Sequence, residues 1–182
     1  MNSPSTFKAS LMSETTPSIR PAAHTDFGAI AELMSGFMAL HHHWQPDMFR
    51  PALLGFTAAI FQSWLQRPDD LYLVAERDGK ILGYACASRY GESGSDFTFP
   101  RRAVFISVIV VAPETRRRGV GRALFEAIEA WAVEYGAEYV GLYVSPFNEL
   151  ARTFYTGLGY NPAGEYRAKT LRKVPRIGGG VA

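Results

Sequence analysis

Apolar positions along this chain follow two periods, one helical and one of two residues, which predict an alternation of helices and strands. Ser18–Pro21 is a short extended segment, and Thr25-Asp26 is a capping pair before a first helix. Pro51 predicts the start of a second helix, which Pro68-Asp69-Asp70 ends. The apolar residues at helical spacing are Ile30, Leu33, Met34 and Phe37 in the first helix and Leu53, Leu54, Ile60, Phe61, Trp64 and Leu65 in the second.

The middle of the chain has the pattern of a β-hairpin. Leu71–Glu76 and Lys80–Ser88 are rich in strand-forming residues, and the Asp78-Gly79 turn separates them. Such a turn between two apolar segments favours a tight antiparallel connection. A polar, glycine-rich loop at Gly91–Asp96 follows the hairpin.

A strand, a helix and a second strand come next. Ala103–Val111 is dominated by Val, Ile and Phe, which predicts a strand buried on both faces, and Pro113 marks its end. A helix begins at Gly119 and has Gly136 as its C-cap, and Glu138–Val144 is the following strand. A helical crossover of this length predicts that the two strands are parallel. The apolar side of the helix is Val120, Leu124, Ile128 and Trp131.

The chain closes with a helix over Asn148–Thr156, a turn at Asn161-Pro162 and a final strand at Tyr166–Leu171. Together these elements predict a mixed α/β fold in which helices flank a central sheet.

Length and composition indicate one folded domain. The chain has 182 residues, of which 47% are hydrophobic, enough for a substantial core. We expect a disordered lead-in over residues 1–16, with Met12 as an alternative start, a domain over 17–173 and a flexible tail over 174–182.

Charge and cysteine content limit the classes of partner. A net charge of +2 favours neither nucleic acid nor an anionic membrane, and no apolar run approaches the ~20 residues of a membrane span. Cys86 is the only cysteine, so an intrachain disulfide is excluded. We therefore expect a cytoplasmic protein that binds neither nucleic acid nor membrane.

The turn between the apolar strand and the helix carries the first chemical signal. Its glycines, Gly119 and Gly121, expose backbone N–H groups at a helix N-terminus, which is suited to phosphate. Leu124 stands where a dinucleotide fingerprint needs a third glycine, and the P-loop ending is absent. The three arginines beside the glycines, Arg116, Arg117 and Arg118, add positive charge.

The turn has the pattern Arg-x-x-Gly-x-Gly, which resembles the pyrophosphate-binding motif of the GNAT acetyltransferases. Asn148 begins a second pattern, Asn-x-x-Ala-x-x-Phe-Tyr, and Gly159-Tyr160 follows it as in that family. The resemblance covers about Ser18 to Arg172 and is strongest from Ser107 to Tyr160.

The resemblance implies a GNAT-like sheet, mostly antiparallel, with one splayed pair of parallel strands that receives acetyl-CoA. The backbone N–H of Val110 or Val111 would then hold the thioester oxygen. Asn148 would cap its helix, contact the cofactor, or do both. The remaining residues expected to bind the cofactor are Arg116, Arg117, Arg118, Gly119, Val120, Gly121 and Arg122.

Tyr155 is the expected catalytic residue. In a direct attack by an amine the CoA leaves as a thiolate, and the resemblance implies that the Tyr155 hydroxyl assists it. An ordinary phenol pKa of ~10 is above a thiol pKa of ~8.5, so we expect hydrogen bonding with late proton donation. The alternative is a packing role beside Phe154.

No residue stands out as the general base. Some members of the family carry a glutamate early in the central strand, where this chain has Phe105. The candidates are Glu92, Asp96, Glu114 and His41–His43. Three adjacent histidines on a helix cannot converge on one ion, so no metal site is expected. The resemblance places His41–Phe49, which includes Trp44, beside the acceptor.

The sequence therefore predicts an acetyl-CoA-dependent N-acetyltransferase that works in a ternary complex and acts on a small-molecule amine. Two alternatives are a non-catalytic acyl-CoA sensor and a protein N-terminal or lysine acetyltransferase. The acceptor, the acyl group and the oligomeric state, including a homodimer, stay open.

Overall fold

The computed structural model describes residues 16–50 and 55–169, without the side chain of Glu92. The chain forms two compact units, Met1–Phe147 and Asn148–Ala182. In the first unit the strands are β1 (Ser18–Pro21), β2 (Asp70–Arg77), β3 (Lys80–Glu92), β4 (Arg101–Val111) and β5 (Tyr139–Leu142), and the helices are α1 (Phe27–Trp44), α2 (Ala58–Trp64) and α3 (Val120–Tyr135). The second unit contains α4 (Glu149–Gly157).

The five strands form one sheet in the order β1-β2-β3-β4-β5. Every neighbouring pair is antiparallel except β4 and β5, which are parallel. This arrangement confirms the predicted fold class. The parallel pair results from the crossover through α3, which carries the chain back to the end of the sheet at which β4 began.

The β2–β3 hairpin is confirmed. Both turn residues have left-handed backbone angles, with φ of 50° at Asp78 and 73° at Gly79. That combination is typical of a two-residue turn whose twist matches the flanking strands. The third strand is longer than predicted, because its pairing with β4 continues to Glu92 opposite Arg101.

The sheet carries helices on both faces. On one face Tyr84 belongs to a buried cluster with Ile30 of α1 and Phe61 of α2. On the other face Gly83 lies under α3, where an added Cβ would be 3.1 Å from Val120 Cγ1 and 3.2 Å from Leu124 Cδ1. Because Gly83 has no side chain, α3 can pack close to the strand.

The strand β5 ends at Leu142, two residues before the predicted Val144. Two further predicted elements differ from the structure. Gly55 to Thr57 are not helical, and α2 begins at Ala58 because the Thr57 hydroxyl accepts a hydrogen bond from Ile60 N at 3.3 Å. The predicted start at Pro51, with Leu53 and Leu54, lies outside the described residues. The strand predicted at Tyr166–Leu171 is wrong over residues 166–169, which have no strand pairing, and its last two residues lie outside the described part.

The prediction that β4 is buried on both faces is also wrong. Phe105 is 41% exposed and Ser107 is exposed, whereas Val104 is fully buried. The strand is therefore well buried on the face that carries Val104 and Ile106, and partly exposed on the face that carries Phe105. The predicted lead-in, up to residue 15, and the predicted tail at 174–182 lie outside the described residues. Among the helices that the structure describes, none is long and apolar enough to cross a membrane.

Candidate active site

The parallel pairing between β4 and β5 stops partway along β4. The four rungs run from Ala103 opposite Tyr139 to Ile106 opposite Leu142. The fourth strand continues to Val111, but β5 ends at Leu142. From Ser107 to Val111, β4 therefore has an edge with no strand beside it in the described part of the chain. We call this stretch the open edge.

A β-bulge stands where the open edge begins. Cys86 pairs with Val108 and Ala87 pairs with Ile106, so Ser107 is an extra residue without a partner on β3. A bulge bends its strand and increases the local twist. That distortion gives a physical reason why β4 and β5 stop pairing at this point.

The direction of the backbone amides along the open edge follows from one hydrogen bond. Ala112 N–H donates to Leu82 O at 2.9 Å, toward β3. Because successive residues of a strand present their N–H groups to opposite sides, Val110 N–H also faces β3, where Val110 pairs with Tyr84. The N–H groups of Ile109 and Val111 face the open edge. Of the two residues predicted to offer an amide, Val111 has the suitable direction.

The arginine and glycine turn follows the open edge directly. Arg117 and Gly119 have left-handed backbone angles, with φ of 61° and 83°. The side chains of Arg116, Arg117 and Arg118 are exposed, and Arg116 Nε donates to Val111 O at 3.3 Å. Positive charge is thus placed beside the end of β4.

The first turn of α3 presents backbone donors. Gly119 is the N-cap and has no side chain to accept from the helix, and no acidic residue stands in the first turn. Ala123 N–H donates to Gly119 O at 3.0 Å, so the N–H groups of Val120, Gly121 and Arg122 precede the first intrahelical bond. The Val120 side chain is in the core and 1% exposed, so only its backbone is available to a ligand. The Arg122 side chain is exposed.

The second predicted motif lies on α4. Asn148 is the N-cap, and its Oδ1 accepts from Ala151 N at 3.1 Å. Its capping role is therefore observed, and its side-chain NH2 group remains a hydrogen-bond donor. Tyr155 is half-buried, with its ring 5.7 Å from the ring of Phe154. Burial raises the pKa of the Tyr155 phenol, so this side chain is neutral at physiological pH and suited to donating a hydrogen bond.

The candidate bases lie on different elements of the chain. Asp96 and Glu114 are exposed. His41 Nδ1–H donates to Phe37 O at 2.9 Å and His42 Nδ1–H donates to Phe49 O at 2.8 Å. His43 is exposed, and the side chain of Glu92 is not described. Within residues 16–50 and 55–169, no group of His, Cys, Asp or Glu has the arrangement of a metal site.

The aromatic residues predicted beside the acceptor form a cluster around His41. The His41 ring is 4.0 Å from the Phe37 ring, 4.9 Å from Phe49 and 6.1 Å from Trp44. The segment after α1 therefore folds back onto the last turns of the helix.

Two serines of this region were not predicted. Ser107 is the bulge residue, and Ser145, three residues after β5, is 5% exposed. No local sequence pattern distinguishes either of them, since a bulge and the burial of a short loop both depend on strand pairing.

Cys86 lies on β3 opposite the bulge, and burial raises the pKa of its thiol to about 12. This thiol is therefore protonated at neutral pH, which argues against a nucleophilic role.

Known proteins are similar to this chain in sequence and in fold. A family model described as the acetyltransferase (GNAT) family matches residues 37–160. The catalytic subunit of the N-terminal acetyltransferase B complex from Schizosaccharomyces pombe is 30% identical over 109 residues, which cover 58% of this chain and 57% of that protein. An aminoglycoside N(6')-acetyltransferase type 1 from Salmonella typhimurium is 29% identical over 115 residues, covering 54% of this chain and 78% of the relative.

Solved structures have the same architecture as this chain. A variant of the BH1408 protein from Bacillus halodurans superposes with a TM-score of 0.78 at 28% identity, covering 85% of this chain and 99% of that one. The aminoglycoside N-acetyltransferase AAC(6')-Iy in complex with CoA superposes with a TM-score of 0.65 at 21% identity, covering 86% and 100%. These matches confirm the family predicted from the two motifs. The chain belongs to the acetyltransferase (GNAT) family.

Proposed function

We propose that this protein is an N-acetyltransferase that uses acetyl-CoA and transfers its acetyl group to an amine in a ternary complex. The observation that carries the proposal is the open edge of β4, which leads directly into the exposed glycine turn before α3. The open edge offers backbone amides to an extended chain, and the glycine turn offers N–H donors to phosphate. The CoA complex of AAC(6')-Iy, a protein of the same fold, supports CoA as the ligand.

The residues at the two ends of this surface have different tasks. The N–H groups of Val120, Gly121 and Arg122 would hold the pyrophosphate, while the side chains of Arg116, Arg117 and Arg118 add charge around it. The open edge would receive the pantetheine arm. Acetyl-CoA would supply an acetyl thioester, with its oxygen directed to Val111 N–H.

Tyr155 completes the proposed chemistry. The amine nitrogen forms the amide bond, the C–S bond breaks and the thiolate takes a proton. The Tyr155 hydroxyl is neutral, because burial raises its pKa, and would donate a hydrogen bond to the departing sulfur. The Asn148 side-chain NH2 is a further donor for the cofactor. The proton lost by the amine passes to a general base.

We propose a small-molecule amine as the acceptor. The Salmonella relative is named an aminoglycoside N(6')-acetyltransferase, and 78% of its length is covered. The Schizosaccharomyces relative, of which 57% is covered, belongs to an N-terminal acetyltransferase complex and supports the second candidate, a protein N-terminus.

A panel of amines tests the proposal. The protein is mixed with acetyl-CoA and aminoglycosides, polyamines, amino acids or peptides with free N-termini, and released thiol is measured with and without each acceptor. We expect acceptor-dependent thiol release with at least one small amine. Release only with peptides would favour the second candidate. Binding of acetyl-CoA without release in any mixture would instead indicate an acyl-CoA sensor.

A further inference from the structure

A cavity of about 600 Å³ lies at the end of α3 that is opposite the glycine turn. The first residues of β4, the C-terminal end of α3 and the loop after β3 surround it. Helix α3 has 16 residues, so its two ends are about 24 Å apart and the cavity is separate from the proposed cofactor donors. Its lining includes Gly91, Ser93, Arg101, Arg102, Tyr135 and Glu138.

Three arginines stand in or beside this cavity without an acidic partner. Arg101 and Arg102 line it. Arg89 lies on the same face of the sheet, because it is two residues before Gly91, and Gly91 pairs with Arg102. Within residues 16–50 and 55–169, without the side chain of Glu92, the three guanidinium groups form no ion pair.

Aromatic rings of α3 hold two of these arginines. The Arg89 Cζ atom is 4.9 Å from the centroid of the Trp131 ring and 4.8 Å from that of the Tyr135 ring. The Arg102 Cζ atom is 5.8 Å from the same Tyr135 centroid. A ring under a guanidinium restricts its orientation without using its N–H donors. Tyr135 therefore fixes two positive charges beside each other, where they repel.

Negative groups at the cavity do not balance this charge. Among the described residues that line it, Glu138 is the one acidic side chain, and it is exposed. The C-terminal end of α3 adds roughly half a negative charge. Arg102 lies beside that end, since an added Cβ at Gly136 would be 3.7 Å from its Nη1 atom. Three arginines against one carboxylate and a helix end leave the cavity positive.

The donors and the free space of the cavity suit a phosphate group. An arginine can donate two parallel hydrogen bonds to an oxyanion, and the hydroxyl groups of Ser93 and Tyr135 are further donors in the lining. An added Cβ at Gly91 would have no atom within 4 Å, so the space above Gly91 is open. A phosphomonoester carries about two negative charges and three acceptor oxygens at pH 7, more than a carboxylate, so several unpaired arginines favour it.

We propose that this cavity is a second anion site, which binds the phosphate group of a small molecule through Arg101 and Arg102. Arg89 adds positive charge behind them. A bound phosphate relieves the repulsion between the arginines that share Tyr135. The inference goes beyond the proposed function and does not depend on it, because the glycine turn lies at the other end of α3. Free phosphate and a phosphomonoester share this chemistry, and the test separates them.

Amide NMR spectra locate a bound phosphate. The protein, in a phosphate-free buffer of constant ionic strength, is titrated separately with inorganic phosphate, glycerol 3-phosphate and acetate. We expect saturable shifts of the Gly91, Ser93 and Gly136 amides, with a lower Kd for at least one of the two phosphates than for acetate. The phosphate with the lower Kd identifies the source, free or esterified.

Two arginine variants form a matched pair. Arg102→Ala should raise the Kd for that phosphate at least about 10-fold, because hydrogen bonds between two charged groups are lost. Arg117→Ala removes an exposed arginine at the other end of α3 and should leave this Kd unchanged. The affinity for CoA, measured alongside by calorimetry, should be the same in Arg102→Ala and in the wild type.

Several outcomes would overturn the inference. One is the absence of saturable shifts at the three amides, or shifts confined to Gly119 and Gly121, which would mean that phosphate binds only at the glycine turn. Another is an unchanged Kd in Arg102→Ala, and a third is acetate binding as tightly as either phosphate. If Arg102→Ala does not fold, Arg102→Gln removes the charge, keeps most of the side chain and gives the same comparison. Failure of the wild type to bind CoA would overturn the proposed function and leave this inference standing.

Discussion

Gly119 and Gly136 stand at opposite ends of α3 and share a left-handed backbone conformation, with φ of 83° and 75°. A residue with a Cβ is strained by about 1–2 kcal/mol in this region. An added Cβ at Gly119 would have no atom within 4 Å, and one at Gly136 would be 3.7 Å from Arg102 Nη1. Neither position is therefore blocked by its neighbours within the described chain, and the two glycines form a matched pair.

Gly119→Glu should abolish CoA binding, whereas Gly136→Glu should not. Both variants carry the same backbone strain, but only the first puts a side chain and a negative charge at the donors of the α3 N-terminus. Calorimetric titration with CoA on folded protein measures the difference. Unchanged CoA affinity in folded Gly119→Glu would show that the glycine turn is not part of the cofactor site. An equal loss of CoA affinity in Gly136→Glu would show that the effect comes from distortion of the helix.

Each of the three arginines of the turn should contribute less to CoA binding than Gly119. Their side chains are exposed, so their charges substitute for one another and are screened by salt. We expect each single change to Ala at Arg116, Arg117 or Arg118 to raise the Kd for CoA by less than about 10-fold at physiological ionic strength. A complete loss of binding in one of them would show instead a specific contact of that guanidinium.

Tyr155→Phe tests the proposed catalytic role of the Tyr155 hydroxyl. It keeps the ring and its packing against Phe154, so the melting temperature and the CoA affinity should change little. The rate of the chemical step should fall about 100-fold, within the range of acid–base assistance. Single-turnover measurement avoids masking by product release. Tyr166→Phe, which alters a tyrosine that is 79% exposed, serves as the control.

The effect of Tyr155→Phe should be the same from about pH 6 to pH 9. Burial raises the pKa of Tyr155 above its ordinary ~10, so the hydroxyl stays protonated over this range. A wild-type to variant rate ratio that falls as pH rises toward 9 would mean that the phenol ionises there, contrary to the direction of its shift.

Asp26 should stabilise the start of α1 above about pH 4. Its carboxylate binds Arg20 through Oδ2 at 2.7 Å and Oδ1 at 3.0 Å, and accepts from Ala23 N at 2.8 Å. The Arg20 hydrogen bonds lower the pKa of Asp26, so the stabilisation is present above the unfolded pKa of ~3.9 and is lost as pH falls through the folded one.

We expect Asp26→Ala to lower the free energy of unfolding by about 1–3 kcal/mol at pH 7. The Arg20 side chain is 35% exposed, so the lower part of that range applies to the ion pair. The difference should shrink toward zero below pH 3 in urea unfolding experiments. Glu32→Ala, on the exposed side of α1, should show neither effect.

Cys86 should resist thiol reagents in the native protein. Burial raises the pKa of its thiol to about 12, so the reactive thiolate is scarce at pH 8. Labelling with a chromogenic disulfide should be slow in buffer and complete in denaturant. Rapid stoichiometric labelling of the folded protein would contradict the burial of the Cys86 thiol and the direction of its pKa shift.

Local sequence signals located most of the elements of the first unit. The Asp78-Gly79 turn, the α3 boundaries at Gly119 and Gly136 and the parallel pairing of β4 with β5 were all predicted correctly. Each depends on a few adjacent residues or on the length of one crossover. The start of α2 was missed because Thr57 and Pro51 are both acceptable at a helix start, and local preference does not choose between them.

The sequence by itself determined the family, through two motifs whose residues are close together in the chain. It also predicts which residues would bind the proposed cofactor. Tertiary structure decided that Val111 rather than Val110 faces the open edge and that the Ser145 hydroxyl is buried. Amide direction depends on the register between β3 and β4, which the bulge at Ser107 shifts by one residue. Register and burial arise from pairing between residues distant in the chain, so no local pattern carries them.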